Sequence, residues 1–167
     1  MDYEDEFSAF AEERWPTLVR AAVFLGAAPH EAEDLAQTTL VLCYRKWERV
    51  RDAEDRDAYV YRILLNSLRD TRRSAWWRRR DARSLPDQAV ADTSDATAIA
   101  DAVHRAMSTL TTDQQQVVVL RYFVQLTEAQ TAAVLGIPAG TVKSRLSRSI
   151  AALSANDHLA EFSGGTR

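Results

Sequence analysis

Leu126-Thr-Glu-Ala-Gln-Thr-Ala-Ala-Val-Leu-Gly-Ile-Pro-Ala-Gly-Thr-Val-Lys-Ser-Arg-Leu-Ser-Arg148 is the stretch that decides the fold. It predicts two short helices joined by a tight glycine turn. Thr127 and Gln130 have the spacing of a capping box, in which each side chain accepts from the other residue's backbone amide, so the first helix starts at Thr127. Gly136 can take the positive φ that ends a helix, and Pro138 suits the first turn of the next. At about 100° per residue, Val142, Leu146, Ile150 and Leu153 share one face, while Thr141, Ser144, Arg145 and Arg148 point away from it. A helix held along one side and basic on the other has what reading a DNA major groove requires. On this reading Arg148 contacts guanine, Lys143 meets phosphate, and Ser147 lies on the flank.

The chain has 167 residues, 46% of them hydrophobic and 27% charged, a globular composition of one domain or two small ones. Few Gly and Pro, and no sustained β-branched alternation, indicate an all-α protein. The single cysteine, Cys43, rules out an internal disulfide. His30, His104 and His158 stand too far apart for a zinc site, so no metal or cofactor is expected. Neither a signal peptide nor a membrane-spanning run is visible, and a cytoplasmic location is expected.

The net charge of −3 hides an uneven distribution. Asp2, Glu4, Asp5, Glu6, Glu12 and Glu13 crowd the N-terminus. Arg69, Arg72, Arg73, Arg78, Arg79, Arg80 and Arg83 form a basic run, and from Pro138 to Asn156 there are three cations and no acid. A weakly acidic whole with local basic surfaces should hold DNA only modestly by itself.

Phe7 to Leu25 reads as a first amphipathic helix, with Phe7, Phe10, Trp15, Leu18, Val19, Ala22 and Leu25 inward and a kink or a split expected at Pro16. A second helix opens at Pro29, its buried stripe Leu35, Thr39, Leu42, Cys43 and Trp47. Val50 to Asp57 is charged and without periodicity, and reads as a loop. Asp57 to Arg73 is a third helix with Val60, Leu64, Ser67 and Leu68 inward. The implied domains are residues 1–84 and 99–156, separated by an extended linker over 85–98, with a frayed tail at 157–167. Thr111 and Gln114 make a second capping box, followed by an apolar helix from Val117 to Phe123.

Tyr59, Tyr61, Trp76 and Trp77 interleave with Arg62, Arg69, Arg72 and Arg73, a combination suited to unstacked single-stranded bases. Arg62, Asn66, Arg69 and Arg73 recur on one helical face, whereas a packing reading puts both tryptophans in the core. Asn66 can read a base edge or bridge within the fold. Asp34, Gln37 and Val41 lie opposite the core stripe of the second helix, where taken by themselves a plain exposed surface is the better explanation.

Ala32-Glu-Asp-Leu-Ala-Gln37, Tyr61-Arg-Ile-Leu-Leu-Asn66 and Gly140-Thr-Val-Lys-Ser-Arg-Leu-Ser-Arg148, in this order and separation, resemble the extracytoplasmic-function sigma factors of bacterial RNA polymerase, of the sigma-E-like actinobacterial type. The resemblance implies two helical sigma domains, called 2 and 4, that bind core polymerase and recognise the −10 and −35 promoter elements. It implies polymerase docking on the β′ clamp helices through Asp34, Gln37, Thr38 and Val41, with Thr38 standing where the family commonly has Glu. It implies −10 capture by the 50–57 loop and by Tyr59, Arg62, Asn66, Arg69, Arg72 and Arg73. For the −35 duplex it implies Thr141, Lys143, Ser144, Arg145, Ser147 and Arg148, with Thr111 to Phe123 meeting the β flap. Thr131 replaces a usual core Ile and should soften that core by about 1 kcal/mol or more. Any anti-sigma partner is expected as a separate protein, and no catalytic residue is implied. One rival is a stand-alone helix-turn-helix regulator, which needs a dimer surface that the sequence lacks. The other is an enzyme acting on nucleic acid, built on Asp52, Glu54, Asp55 and Asp57.

Overall fold

The structure, a computed structural model, describes residues 3–81 and 95–155. All regular elements among them are helical. They divide into two compact units, the first holding most of α1 with α2–α4, the second α5–α8.

In the first unit α1 spans Tyr3–Phe24 without a break at Pro16, and α2 spans Pro29–Arg45. Pro29 fits the first helical position, and Glu31 reaches back to accept from the Ala28 amide at 3.0 Å. The buried stripe of α2 is Ala32, Leu35, Ala36, Thr39, Leu40 and Cys43, with Leu42 only half-buried. Thr39 hides its hydroxyl on the Leu35 carbonyl at 2.7 Å, which lets a polar residue sit fully buried. Trp15, expected inward, is 38% exposed; the neighbouring Arg14 instead turns in to meet Asp57 at 2.7 Å.

The expected 50–57 loop is shorter than its charge suggested. Trp47–Arg51 forms a short helix, α3, with Trp47 and Val50 buried, and α4 runs Arg56–Asp81, beyond the expected end at Arg73. Trp47 therefore belongs to α3 and not to α2. Of the expected 50–57 loop, only residues 52–55 lie outside helices. Asp55 caps α4 by accepting from the Ala58 amide at 2.9 Å.

In the second unit α5 spans Asp95–Ser108, so 95–98 are helical, and the rest of the expected linker lies outside the described residues, as does the 157–167 tail. The apolar segment after α6 (Thr112–Val118) is not one α-helix. Val119–Phe123 is a π-helical turn, closed by a bond from the Val124 amide to the Val119 carbonyl at 2.9 Å, and Gln125 follows at φ 64°. Arg121 donates to the Leu126 carbonyl and ties this turn to the start of the next helix.

Both capping boxes form. Gln114 and Thr111 exchange bonds of 3.0 and 3.3 Å, and Gln130 and Thr127 bonds of 2.6 and 3.1 Å. The second box opens α7, Glu128–Leu135; Gly136 ends it at φ 65°, and Pro138 caps α8, Ala139–Ser154. The inward stripe of α8 corrects the sequence reading at one position. Ile150 is 38% exposed and Ser149 is buried in its place, its hydroxyl bonded to the Arg145 carbonyl at 2.7 Å.

Thr131 is fully buried and its hydroxyl has no hydrogen-bond partner. Thr131→Val keeps the shape and removes that orphan, so it should raise stability by about 1 kcal/mol, seen as a higher urea midpoint. A lower midpoint would mean that the hydroxyl is satisfied. Burial pushes the Cys43 thiol from 9.0 up to about 12. Between those values the unfolded chain has lost a proton that the folded chain keeps, so this group lowers stability as pH rises through that window. Iodoacetamide at pH 9 should label Cys43 only as fast as the protein unfolds, and rapid labelling of folded protein would contradict its burial.

Candidate nucleic-acid interface

The inward face of α4 carries Val60, Tyr61, Leu64, Leu65 and Leu68, all buried, and packs on α2 and α3. The opposite face is thereby left to solvent, and Arg62, Asn66, Arg69 and Arg73 all stand on it, exposed, with Tyr59 half-buried at its start. Two bonds on this side of the helix are weak ones. Arg69 donates to the Asn66 side-chain oxygen at 3.5 Å, and Arg73 pairs with Asp70 at 2.9 Å across two well-exposed side chains. Exposed pairs of this kind are worth about 0–1 kcal/mol, so they yield readily to a phosphate.

Arg72 departs from this group. It sits toward the flank and is half-buried, where desolvation lowers its pKa against the opposing pull of Glu31. Tyr61 is buried, with burial raising the pKa of its phenol, and it offers no stacking surface. Trp76 is 52% exposed and continues the cationic face one turn beyond Arg72 and Arg73, while the Trp77 side chain lies outside the described residues.

The start of α4 is fixed by Arg56, which the sequence did not single out, together with the expected core aromatics. Arg56 lies over the Trp47 ring at 5.7 Å and donates to the Arg51 carbonyl at 3.0 Å. Phe7 and Phe10 pack on the same indole with centroids 5.2 and 4.9 Å away. Three of the four carboxylates of the enzyme rival, Asp52, Asp55 and Asp57, are engaged within the fold, and Glu54 is exposed. Asp52 bonds Arg51 at 2.9 Å, which lowers the carboxyl's pKa and raises that of the guanidinium; Asp55 caps α4, and Asp57 pairs with Arg14. Among the described residues, no group of three or more His, Cys, Asp or Glu could hold a metal ion.

On α8 the exposed side chains Lys143, Ser147 and Arg148 flank a helix buried on Val142 and Ser149, with Thr141 and Ser144 half-buried beside them. Ser144 donates to the Thr141 carbonyl at 3.1 Å. Gly140 opens this face, and a Cβ there would meet nothing within 4 Å. Arg145 is turned to the shoulder, where it pairs with Asp113 of α6 at 3.1 Å. Asp113 was missed by sequence reasoning; its place in the first turn of α6 explains the acid locally and gave no hint of the partner.

On α2, Asp34, Gln37, Thr38 and Val41 form an exposed stripe at three- and four-residue spacing, and Val41 is 46% exposed. No helix among the described residues is long and apolar enough to cross a membrane.

Comparison with known proteins fits both units. Residues 10–78 match sigma-70 region 2, and residues 100–153 match sigma-70 region 4. The chain is 37% identical over 153 residues to the RNA polymerase sigma-E factor of Streptomyces avermitilis, covering 89% of this chain and 83% of that protein. It is 31% identical over 150 residues to the ECF RNA polymerase sigma factor SigL of Mycobacterium tuberculosis, covering 87% and 85%. Its fold is similar to that of the sigma factor RpoE of Bartonella quintana, solved in complex with the anti-sigma factor NepR, with a TM-score of 0.77 at 23% identity over 96% of this chain and 99% of that one. A lone helix-turn-helix regulator would leave the whole first unit unexplained. The chain belongs to the extracytoplasmic-function group of sigma factors and is a transcription initiation factor of bacterial RNA polymerase.

Proposed function

We propose that the outer face of α4 holds the unpaired −10 strand, that α8 reads the −35 duplex, and that the exposed stripe of α2 docks on the polymerase β′ clamp helices. The observation that carries this reading is that α4 and α8 are each buried along one stripe only, and the opposite stripe of each is cationic and open. On α4, Arg62, Arg69 and Arg73 attract phosphates, Tyr59 offers part of a ring, and Asn66 supplies an amide for a base edge. Stacking contributes about 1–3 kcal/mol per base, enough to offset the few kcal/mol needed to unpair each one. No bond is made or broken by the protein, so its part in initiation is binding and not catalysis. It works in the cytoplasm, where the polymerase is, and a separate anti-sigma protein, such as the one bound to its Bartonella relative, would act by covering these faces.

Run-off transcription with purified core polymerase on a fragment library tests the function. Added protein should produce discrete promoter-directed transcripts that core enzyme alone does not make; no initiation at any template would contradict it. The two kinds of contact on α8 are separable. Arg148→Ala should relax discrimination at one base pair of the −35 element by about 1–3 kcal/mol. Lys143→Ala should weaken all duplexes alike, since a phosphate contact carries no sequence information. Titration of a set of base-substituted −35 duplexes checks both, and identical profiles for the two variants would contradict the division.

A further inference from the structure

The Asp113–Arg145 pair sits at the rim of the reading helix. Asp113 is one turn before the buried Val117 on α6, and Arg145 is one turn after the buried Val142 on α8, so the two side chains close the edge of that packing contact at 3.1 Å. Arg145 keeps only 28% of its side-chain exposure, whereas Asp113 keeps 60%. The carboxylate lies in the first turn of α6 and pairs there with the guanidinium. Arg145 follows Ser144 and stands one turn before Arg148, on the shoulder of the face that carries Lys143 and Arg148. In an otherwise acid-free segment, the cation on that shoulder is thus neutralised by an acid from another helix.

We propose that Asp113 withholds Arg145 from the DNA backbone and so sets the affinity of the reading helix below what its own cations would give. A duplex approaching α8 meets Lys143 and Arg148 directly, while the Arg145 guanidinium stays on the carboxylate of Asp113 in place of a phosphate oxygen. Weak intrinsic grip leaves promoter choice to the sum of contacts made with polymerase. This inference rests on the assignment of α8 to duplex DNA.

Asp113→Asn keeps the size and an acceptor oxygen but removes the charge. In the full chain assembled with core polymerase, on a fluorescein-labelled promoter duplex from the run-off templates, it should tighten binding about two- to fivefold. The slope of log affinity against log salt should steepen by about 0.9, one more phosphate neutralised. Both effects should vanish in an Arg145→Gln background. Thermal melting of each variant, read alongside, separates a structural role. The proposal is overturned if Asp113→Asn leaves slope and affinity unchanged, weakens binding together with a lower melting midpoint, or gives the same gain without Arg145. Loss of −35 dependence in the wild-type complex would instead remove the DNA reading itself, and the inference with it.

Discussion

In each unit the helix proposed to meet DNA, α4 in the first and α8 in the second, is buried along a single stripe, and the proposed interface rests on that constraint. On α4 the stripe is Val60, Tyr61, Leu64, Leu65 and Leu68; on α8 it is Val142 and Ser149 with the half-buried Leu146 and Leu153. A helix packed on one side can rotate about its axis only by exposing that stripe, at about 25 cal/mol for each Å² returned to water. The orientation of the opposite face is therefore set by the core. Packing thus sets the side on which Arg62, Asn66 and Arg69 leave one helix, and Lys143 and Arg148 the other.

What anchors those helices differs between the units. In the first, the Trp47 ring is the hub: Phe7 and Phe10 pack on it, Arg56 covers it, and its indole N–H is buried without a partner. The start of α4 is held by that ring, by the Asp55 cap and by the Arg14–Asp57 pair, whose Arg14 Nε is likewise buried without a partner. In the second unit the anchoring is mostly local chemistry, with two reciprocal caps, a left-handed Gly136 and a π-helical turn pinned by Arg121.

Local chemistry is what can be read from a sequence. Thr127 with Gln130, Thr111 with Gln114, and the Gly136 turn depend on residues a few positions apart, and all three were legible. The five-residue α3 was not, because it is too short to show a period and its charged residues outnumber the two that matter, Trp47 and Val50. Ser149 is not legible because apolarity is what marks a buried stripe in a sequence, yet a serine can enter it by giving its hydroxyl to the carbonyl four residues back. Trp15 fails in the opposite sense: it is apolar, but Phe10, Arg14, Leu18 and Ala21 are in helical phase along the buried side, where Arg14 meets Asp57. Among the candidate contacts, Arg62, Asn66, Arg69 and Arg73 share a face that helical spacing alone predicts, whereas the half-burial of Arg72 and the Arg145–Asp113 pair depend on neighbours distant in sequence.

The central claim is that two one-sided helices of one chain grip separate stretches of a single promoter, with polymerase setting their distance. Run-off transcription from templates in which the −35 to −10 spacing is varied one base pair at a time tests this most directly. The account predicts a sharp optimum, with output falling about tenfold or more when about 5 base pairs, half a helical turn, are inserted. Output that stays level across the series would show that the two faces are not engaged together.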